Sequence, residues 1–83
     1  MTTRFIRLPE LTERTGIPQA TIYWRMSQGT WIRPVKIGLR AVAWPLDEID
    51  ALCEALASGK TRDEFVALIA ELTAARNKPK SAE

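Results

Sequence analysis

The stretch Leu8–Gln28, LPELTERTGIPQATIYWRMSQ, constrains the chain most, because it reads as two short helices with almost no chain between them. Pro9 suits the opening position of a first helix, where a missing N–H costs nothing. Leu8 and Leu11 stand three residues apart on one face, and Gly16 is free to take the positive φ that stops the helix. Ile17 places an apolar side chain in the turn, and Pro18 opens the second helix as Pro9 opens the first. There Ile22 and Met26, four apart, face inward, so Gln19, Ala20, Thr21, Tyr23, Trp24 and Arg25 point sideways or outward. Helix, glycine turn, helix is the outline of a helix-turn-helix, whose second helix can lie in a DNA major groove. It is equally the outline of a helical hairpin that only packs a core.

The residues that follow separate these readings. Gly29 stops the second helix, and Trp31 in the connector is expected to cover the core rather than to stack on a base. Residues 34–44, PVKIGLRAVAW, then read as a β-hairpin. Val35 and Ile37 alternate with Lys36, Gly38-Leu39-Arg40 makes a short loop, and Val42 and Trp44 alternate with Ala41 and Ala43. That period places Val35, Ile37, Val42 and Trp44 toward the core, Lys36 away from it and Arg40 at the tip. A two-stranded hairpin is marginal alone and must pack on something, and the helix pair is the available surface. Ahead of it, RFIR offers Phe5 or Ile6 to the underside of the first helix, with room for a short strand.

A third helix is expected from near Pro45 to about Ala57, with Pro45 at its first position and Gly59 closing it. Asp47 and Glu48 favour the positive end of its dipole. Ile49, Leu52, Cys53 and Leu56 recur at the spacing of one apolar stripe. Thr61-Arg62-Asp63-Glu64 is a capping box, which starts a fourth helix reaching Ala75 or Arg76. Phe65, Leu68, Ile69 and Leu72 form its stripe, which either folds back on the third helix or pairs with a second protomer. The expected organisation is mainly α with a small β-hairpin: a winged helix-turn-helix with a two-stranded wing, plus an additional C-terminal helix. It forms one domain over residues 1–76, with a DNA-binding core at 7–57, the extra helix at 61–76 and a flexible tail at 77–83.

Composition narrows the chemistry. The 83 residues include no histidine and one cysteine, Cys53, which removes Ser-His-Asp and Cys-His catalysis and makes a zinc site very improbable. No glycine-rich phosphate loop is present, so neither an enzyme nor a cofactor or metal site is expected. No apolar run is long enough to cross a bilayer, and MTTRFIRLPE lacks the apolar centre of a secretory signal, so the expected location is the cytoplasm. The single cysteine agrees with a reducing compartment. The net charge of +2 hides an asymmetry. Through Trp44 there are seven basic residues (Arg4, Arg7, Arg14, Arg25, Arg33, Lys36, Arg40) against two acidic ones; from Pro45 onward there are five against eight. A basic first half points to a polyanionic partner.

At residue level the span from Arg7 to about Leu52 resembles the AlpA family of prophage regulators. The shared features come in order: RLPE opening the first helix, TGI in the turn, TIY in the second helix, a glycine followed shortly by an aromatic, RPVK leading into the wing, and G-x-R-A-V-x-W in the wing. Phage lambda's excisionase is more distantly similar, through Pro-Val-Lys and a short glycine-arginine wing. The resemblance implies a MerR-like winged helix-turn-helix that binds double-stranded DNA and regulates transcription in a prophage or other mobile element. It also allows an excisionase that bends attachment-site DNA beside an integrase. Carried over by residue, it puts Thr21 and Tyr23 on the recognition helix, Lys36 at the base of the wing and Arg40 on it. Two positions depart from the family pattern: Pro18 stands where a serine is frequent, and Trp24 follows Tyr23 where the family tends to have arginine. Arg25 comes one place later, a turn of roughly 100° round the helix.

These readings give a set of DNA-contacting candidates. Gln19, Thr21 and Arg25 can offer donors and acceptors to base edges in a major groove. Tyr23, Arg7, Arg33 and Lys36 suit phosphates, and Arg40 suits an adjacent minor groove. Trp24 fits either a sugar-phosphate wall or another protein, and whether it or Arg25 reads bases is open. Arg4 and Arg14 are expected to be solvated surface charges. Specificity would come from a homodimer or from copies side by side on DNA, with Phe65, Leu68, Ile69 and Leu72 as the pairing surface. Integrase or RNA polymerase are the expected protein partners, and a membrane is not. A protein-interaction module of the antirepressor kind, anchored by Trp24 and Trp31, is the alternative from another class.

Overall fold

Thr15 shows how the first two helices are joined. Its hydroxyl donates to the Leu11 carbonyl at 2.8 Å and accepts from the Ile17 N–H at 3.2 Å, so one side chain ties both sides of the turn. Gly16 between them sits at φ 75°, and its N–H closes on the Thr12 carbonyl at 2.8 Å. In the computed structural model, which describes residues 4–76, α1 spans Leu8–Thr15 and α2 spans Gln19–Ser27. The prolines sit one place away from the expected positions. Pro9 is the second residue of α1, and Pro18 is the extended residue that caps α2. Both tolerate it, since neither position needs an N–H for the helix ladder.

The remaining elements are β1 (Phe5–Ile6), β2 (Val35–Lys36), β3 (Val42–Pro45), α3 (Leu46–Ala57) and α4 (Arg62–Arg76). The wing is wider than a simple hairpin. RFIR adds a strand, giving an antiparallel sheet in the order β1-β3-β2 with Ile6 opposite Trp44 and Val35 opposite Ala43. β3 is therefore central, and this changes which of its residues are buried. Trp44 is covered as expected, but Ala43 is fully buried beside it, while Val42 and Ile37 are 45% and 44% exposed. Two adjacent buried residues mean that both faces of β3 are covered at its α3 end. The helical core lies on the Trp44 side, and the end of α4 lies near Pro45 and Val35 on the other. Val42 and Ile37 lie where the wing leaves those helices.

The core joins Ile6, Leu11, Ile22, Trp31, Ile32, Trp44, Ile49, Leu52, Ala55 and Phe65. Each large side chain among them contributes roughly 1.5–3 kcal/mol through its removal from water. Trp31 is 2% exposed and its ring lies 6.3 Å from that of Phe65, so the connector tryptophan covers the core and is closed to base stacking. On α3 the stripe is Ile49, Leu52 and Ala55 with Cys53 at its margin. Leu56, expected there, is 42% exposed. Pro45 caps α3 rather than beginning it, and Glu48 is buried in an ion pair with Arg76 rather than only facing the helix dipole.

The capping box of α4 is formed as its sequence predicts: Thr61 N–H donates to Glu64 Oε1 at 2.9 Å, and Glu64 N–H donates to Thr61 Oγ1 at 3.2 Å. The helix folds back on α3, with Phe65 buried and Leu68, Ile69 and Leu72 packed against the same core. The expected tail, 77–83, lies outside the described residues.

Candidate nucleic-acid interface

Ile22 anchors α2 in the core, and the helix turn of roughly 100° per residue then aims every other side chain. Trp24 comes about 200° round from Ile22 and forms the outer ridge, 60% exposed. Tyr23 falls on the flank toward the wing, 50% exposed, and Thr21 and Arg25 fall on the opposite flank, half-buried. Gln19 is exposed on the first turn. The outward group of the second helix is therefore split by Trp24 into two sides, and of Trp24 and Arg25 it is the indole that faces straight out.

The wing flank brings several candidates together. Arg7, Leu8, Pro9, Tyr23, Val42 and Trp44 line one concavity of about 400 Å³ between α1, α2 and β3. Arg7 and Tyr23 thus come together beside β3, while Lys36, the partner of Val42 on the neighbouring strand, borders a separate groove with Val35, Pro45, Glu48 and Arg76. Beyond them Ile37 and Gly38 both donate to the Ala41 carbonyl, at 2.9 and 3.3 Å, so Gly38-Leu39-Arg40 forms the tip with Arg40 exposed and Leu39 90% exposed. Arg33 stands apart, in a groove with Met26, Ser27, Gln28 and Trp31 beyond the end of α2.

The cations divide by partner. Arg4 pairs with Glu10 at 2.9 Å, Arg14 with Asp50 at 3.1 Å, and Arg76 with Glu48. Among the described residues, Arg7, Arg25, Arg33, Lys36 and Arg40 enter no ion pair, so their charge is available to an outside anion. Arg4 and Arg14, expected to be solvated, are exposed but held by carboxylates.

One set of basic residues is missed when the charge is counted by halves. Lys60 and Arg62 belong to the net acidic second half, yet the turn between α3 and α4 carries them beside α2. They line a cleft of about 340 Å³ with Thr21, Trp24 and Arg25. The local signal was a glycine followed by Lys-Thr-Arg at a helix cap; what it stands beside depends on how α3 and α4 fold back.

Among the described residues no helix is long and apolar enough to cross a membrane, and no group of histidine, cysteine and carboxylate side chains is placed to hold a metal ion. Two helices across a glycine turn, a β-wing and a supporting helix define a winged helix-turn-helix, here with a further C-terminal helix. The sequence profile of the family described as "Prophage CP4-57 regulatory protein (AlpA)" matches residues 4–54, which contain the helix pair, the wing and most of α3. The chain belongs to this family of phage regulatory proteins. It is also 32% identical over 59 residues to a protein of Enterobacteria phage P4, "Uncharacterized protein ORF88", across 71% of this chain and 67% of that one. No solved structure matches the chain.

Proposed function

We propose that the protein is a sequence-specific double-stranded DNA-binding regulator of an integrated phage or related mobile element. Helix α2 lies in a major groove and the wing rests on the adjacent minor groove. The observation that carries this reading is the meeting of unpaired Arg7 with Tyr23 in one concavity beside the outward ridge of α2, with Lys36 and Arg40 exposed and unpaired on the adjoining wing. Gln19, Thr21 and Arg25 present polar groups to base edges, where each good bidentate contact discriminates by roughly 1–3 kcal/mol. Arg7, Lys36 and the Tyr23 hydroxyl hold phosphates on the wing side, Arg33 holds one beyond the end of α2, and Arg40 at the tip enters or skirts the minor groove. Trp24, which faces straight out from α2, is set against the DNA between the two flanks of the helix. A domain of this size reads only a few base pairs, so specificity comes from several copies on neighbouring sites. The α4 stripe supports its own core here, which favours pairing through DNA over pairing through Phe65, Leu68, Ile69 and Leu72.

Titrating the protein with a mixed-sequence duplex at increasing salt tests the reading. About five neutralised phosphates give a slope of log K against log salt on the order of −4 to −5. A slope near zero removes the electrostatic basis of the assignment and favours the antirepressor reading. A footprint then separates the two DNA-binding roles: protection at a promoter supports transcriptional regulation, and protection with bending at an attachment site supports an excisionase working beside an integrase.

A further inference from the structure

We propose that Arg76 is a positioning residue for the DNA interface: by holding the Arg33 carbonyl it fixes where the wing leaves the helical core, and with it where Arg33, Lys36 and Arg40 meet the duplex. This rests on the DNA-binding reading above, and it gives α4, which lies outside the 4–54 span matched by the family, a part in that binding.

The wing has little of its own to hold it. β2 is an edge strand of two residues, paired with β3 as Val35 opposite Ala43 and Lys36 opposite Val42, and a pairing this short is marginal. The Ile37 N–H reaches the Ala41 carbonyl, so hydrogen-bonded pairs fall at every second residue, at 37–41 and then at 35–43. Continued by two residues, the same register sets Arg33 opposite Pro45. Proline has no N–H to give, so the Arg33 carbonyl receives none from β3 and the ladder ends there. Arg76 supplies the missing donor: its Nη2 donates to that carbonyl at 2.9 Å. The preceding carbonyl, of Ile32, is likewise held by a side chain, the Trp44 Nε1–H at 3.0 Å. The chain thus enters the wing through two successive carbonyls tied to two different elements, β3 and α4.

An arginine is what this position needs. Glu48 accepts from Nε and from one Nη2 hydrogen, which leaves the second Nη2 hydrogen for Arg33. The planar fork holds both partners in one fixed geometry, which a single ammonium nitrogen does not. Glu48 also neutralises Arg76, so this guanidinium adds no free charge at the base of the wing. Val35, Lys36, Ala75 and Arg76 border one groove, so the end of α4 stands at the foot of β2. Arg33, Lys36 and Arg40, none of them in an ion pair among the described residues, all lie between the tied carbonyl and the wing tip. A shift at Arg33 therefore moves all three cations relative to α2.

The test uses the full chain, comparing wild type with R76A and with E48L/R76L. The double variant leaves the net charge unchanged and replaces the ion pair by apolar packing, without restoring a donor to the Arg33 carbonyl. Far-UV circular dichroism and thermal unfolding establish that it is folded, so it separates position from stability where R76A alone does not. In the free protein, residue-resolved hydrogen exchange at Val35 and Ile37 should quicken about tenfold relative to Ile22 of α2, which reports opening of the core. On the mixed-sequence duplex the slope of log K against log salt should flatten by about 1.8, as the Arg33 and Lys36 phosphates are lost. Exchange at Val35 and Ile37 that changes only in step with Ile22 overturns the proposal, and so does a loosened wing with a wild-type slope. Wild type without salt-dependent binding overturns the DNA reading instead, and the exchange measurement then still decides whether Arg76 holds the wing.

Discussion

Arg76, in the last turn of α4, closes on the carboxylate of Glu48 in the first turn of α3. Its Nε lies 3.1 and 3.0 Å from the two carboxylate oxygens, and its Nη2 donates to Glu48 and, at 2.9 Å, to the Arg33 carbonyl. One guanidinium thus joins the end of the chain's last described helix, the start of α3 and the segment leading into the wing.

Both side chains are largely withdrawn from water, at 19% and 10% exposure, so removing either leaves a charge without its partner. Glu48→Gln or Arg76→Ala should lower stability by about 3 kcal/mol, the lower end of the range for breaking a buried pair because Arg76 keeps some solvent. Replacing both with apolar residues (E48L/R76L) should recover at least half of that loss. Urea unfolding measures all three. Single variants within about 0.5 kcal/mol of wild type would place the pair with ordinary surface ion pairs.

The two buried tryptophans differ in one atom's surroundings. Trp44 Nε1–H donates to the Ile32 carbonyl at 3.0 Å, whereas Trp31 Nε1 has no partner among the described residues. Phenylalanine removes similar volume at each site, but at Trp44 it also breaks a buried hydrogen bond. Trp44→Phe should therefore cost about 1–2 kcal/mol more than Trp31→Phe in chemical denaturation. Equal losses would mean that volume alone governs both positions.

Cys53 sits at the edge of the core, and its thiol is pushed up from its ordinary value, first by burial and then by Asp50, with Arg14 pulling the other way. Only the thiolate alkylates readily, so iodoacetamide should react slowly with the folded protein near neutral pH. The pH profile should move down in Asp50→Asn and up in Arg14→Ala. Because the folded thiol holds its proton to higher pH than the unfolded one, its contribution to stability is complete below the unfolded pKa and is lost as pH rises through the folded value. Fast alkylation at pH 7 would contradict this placement.

Trp24 is the exposed tryptophan of the three, at 60% against 2% for Trp31 and 1% for Trp44. Acrylamide quenching of the free protein should therefore report on Trp24, and Trp24→Phe should remove most of the quenchable emission. Added duplex should shield that fraction if α2 enters a groove. Quenching unchanged at saturating DNA would put another surface against the duplex.

How much of this was readable in advance depends on distance along the chain. The helix-turn-helix was legible because Gly16, the flanking prolines and the Ile22–Met26 spacing act within a turn or two, and the Thr61–Glu64 box likewise spans only four residues. The AlpA-like order of motifs placed the wing correctly. Period-two alternation misplaces Ile37, Val42 and Ala43, because it does not give the register: Val35 stands opposite Ala43 and Lys36 opposite Val42, and β3 is covered on both faces near α3.

By itself, then, the sequence determined which segments are helical and, to within a residue, where they start, that a basic half precedes an acidic one, and that Trp31 belongs inside. These follow from local backbone preferences and from the need to remove apolar surface from water. Only the tertiary structure decided that Arg76 meets Glu48 across 28 positions, that Trp24 rather than Arg25 forms the outer ridge, and that Lys60 and Arg62 join a cleft with both. Those relationships are set by how separate helices dock, and docking depends on the shape of a shared core that no local pattern encodes.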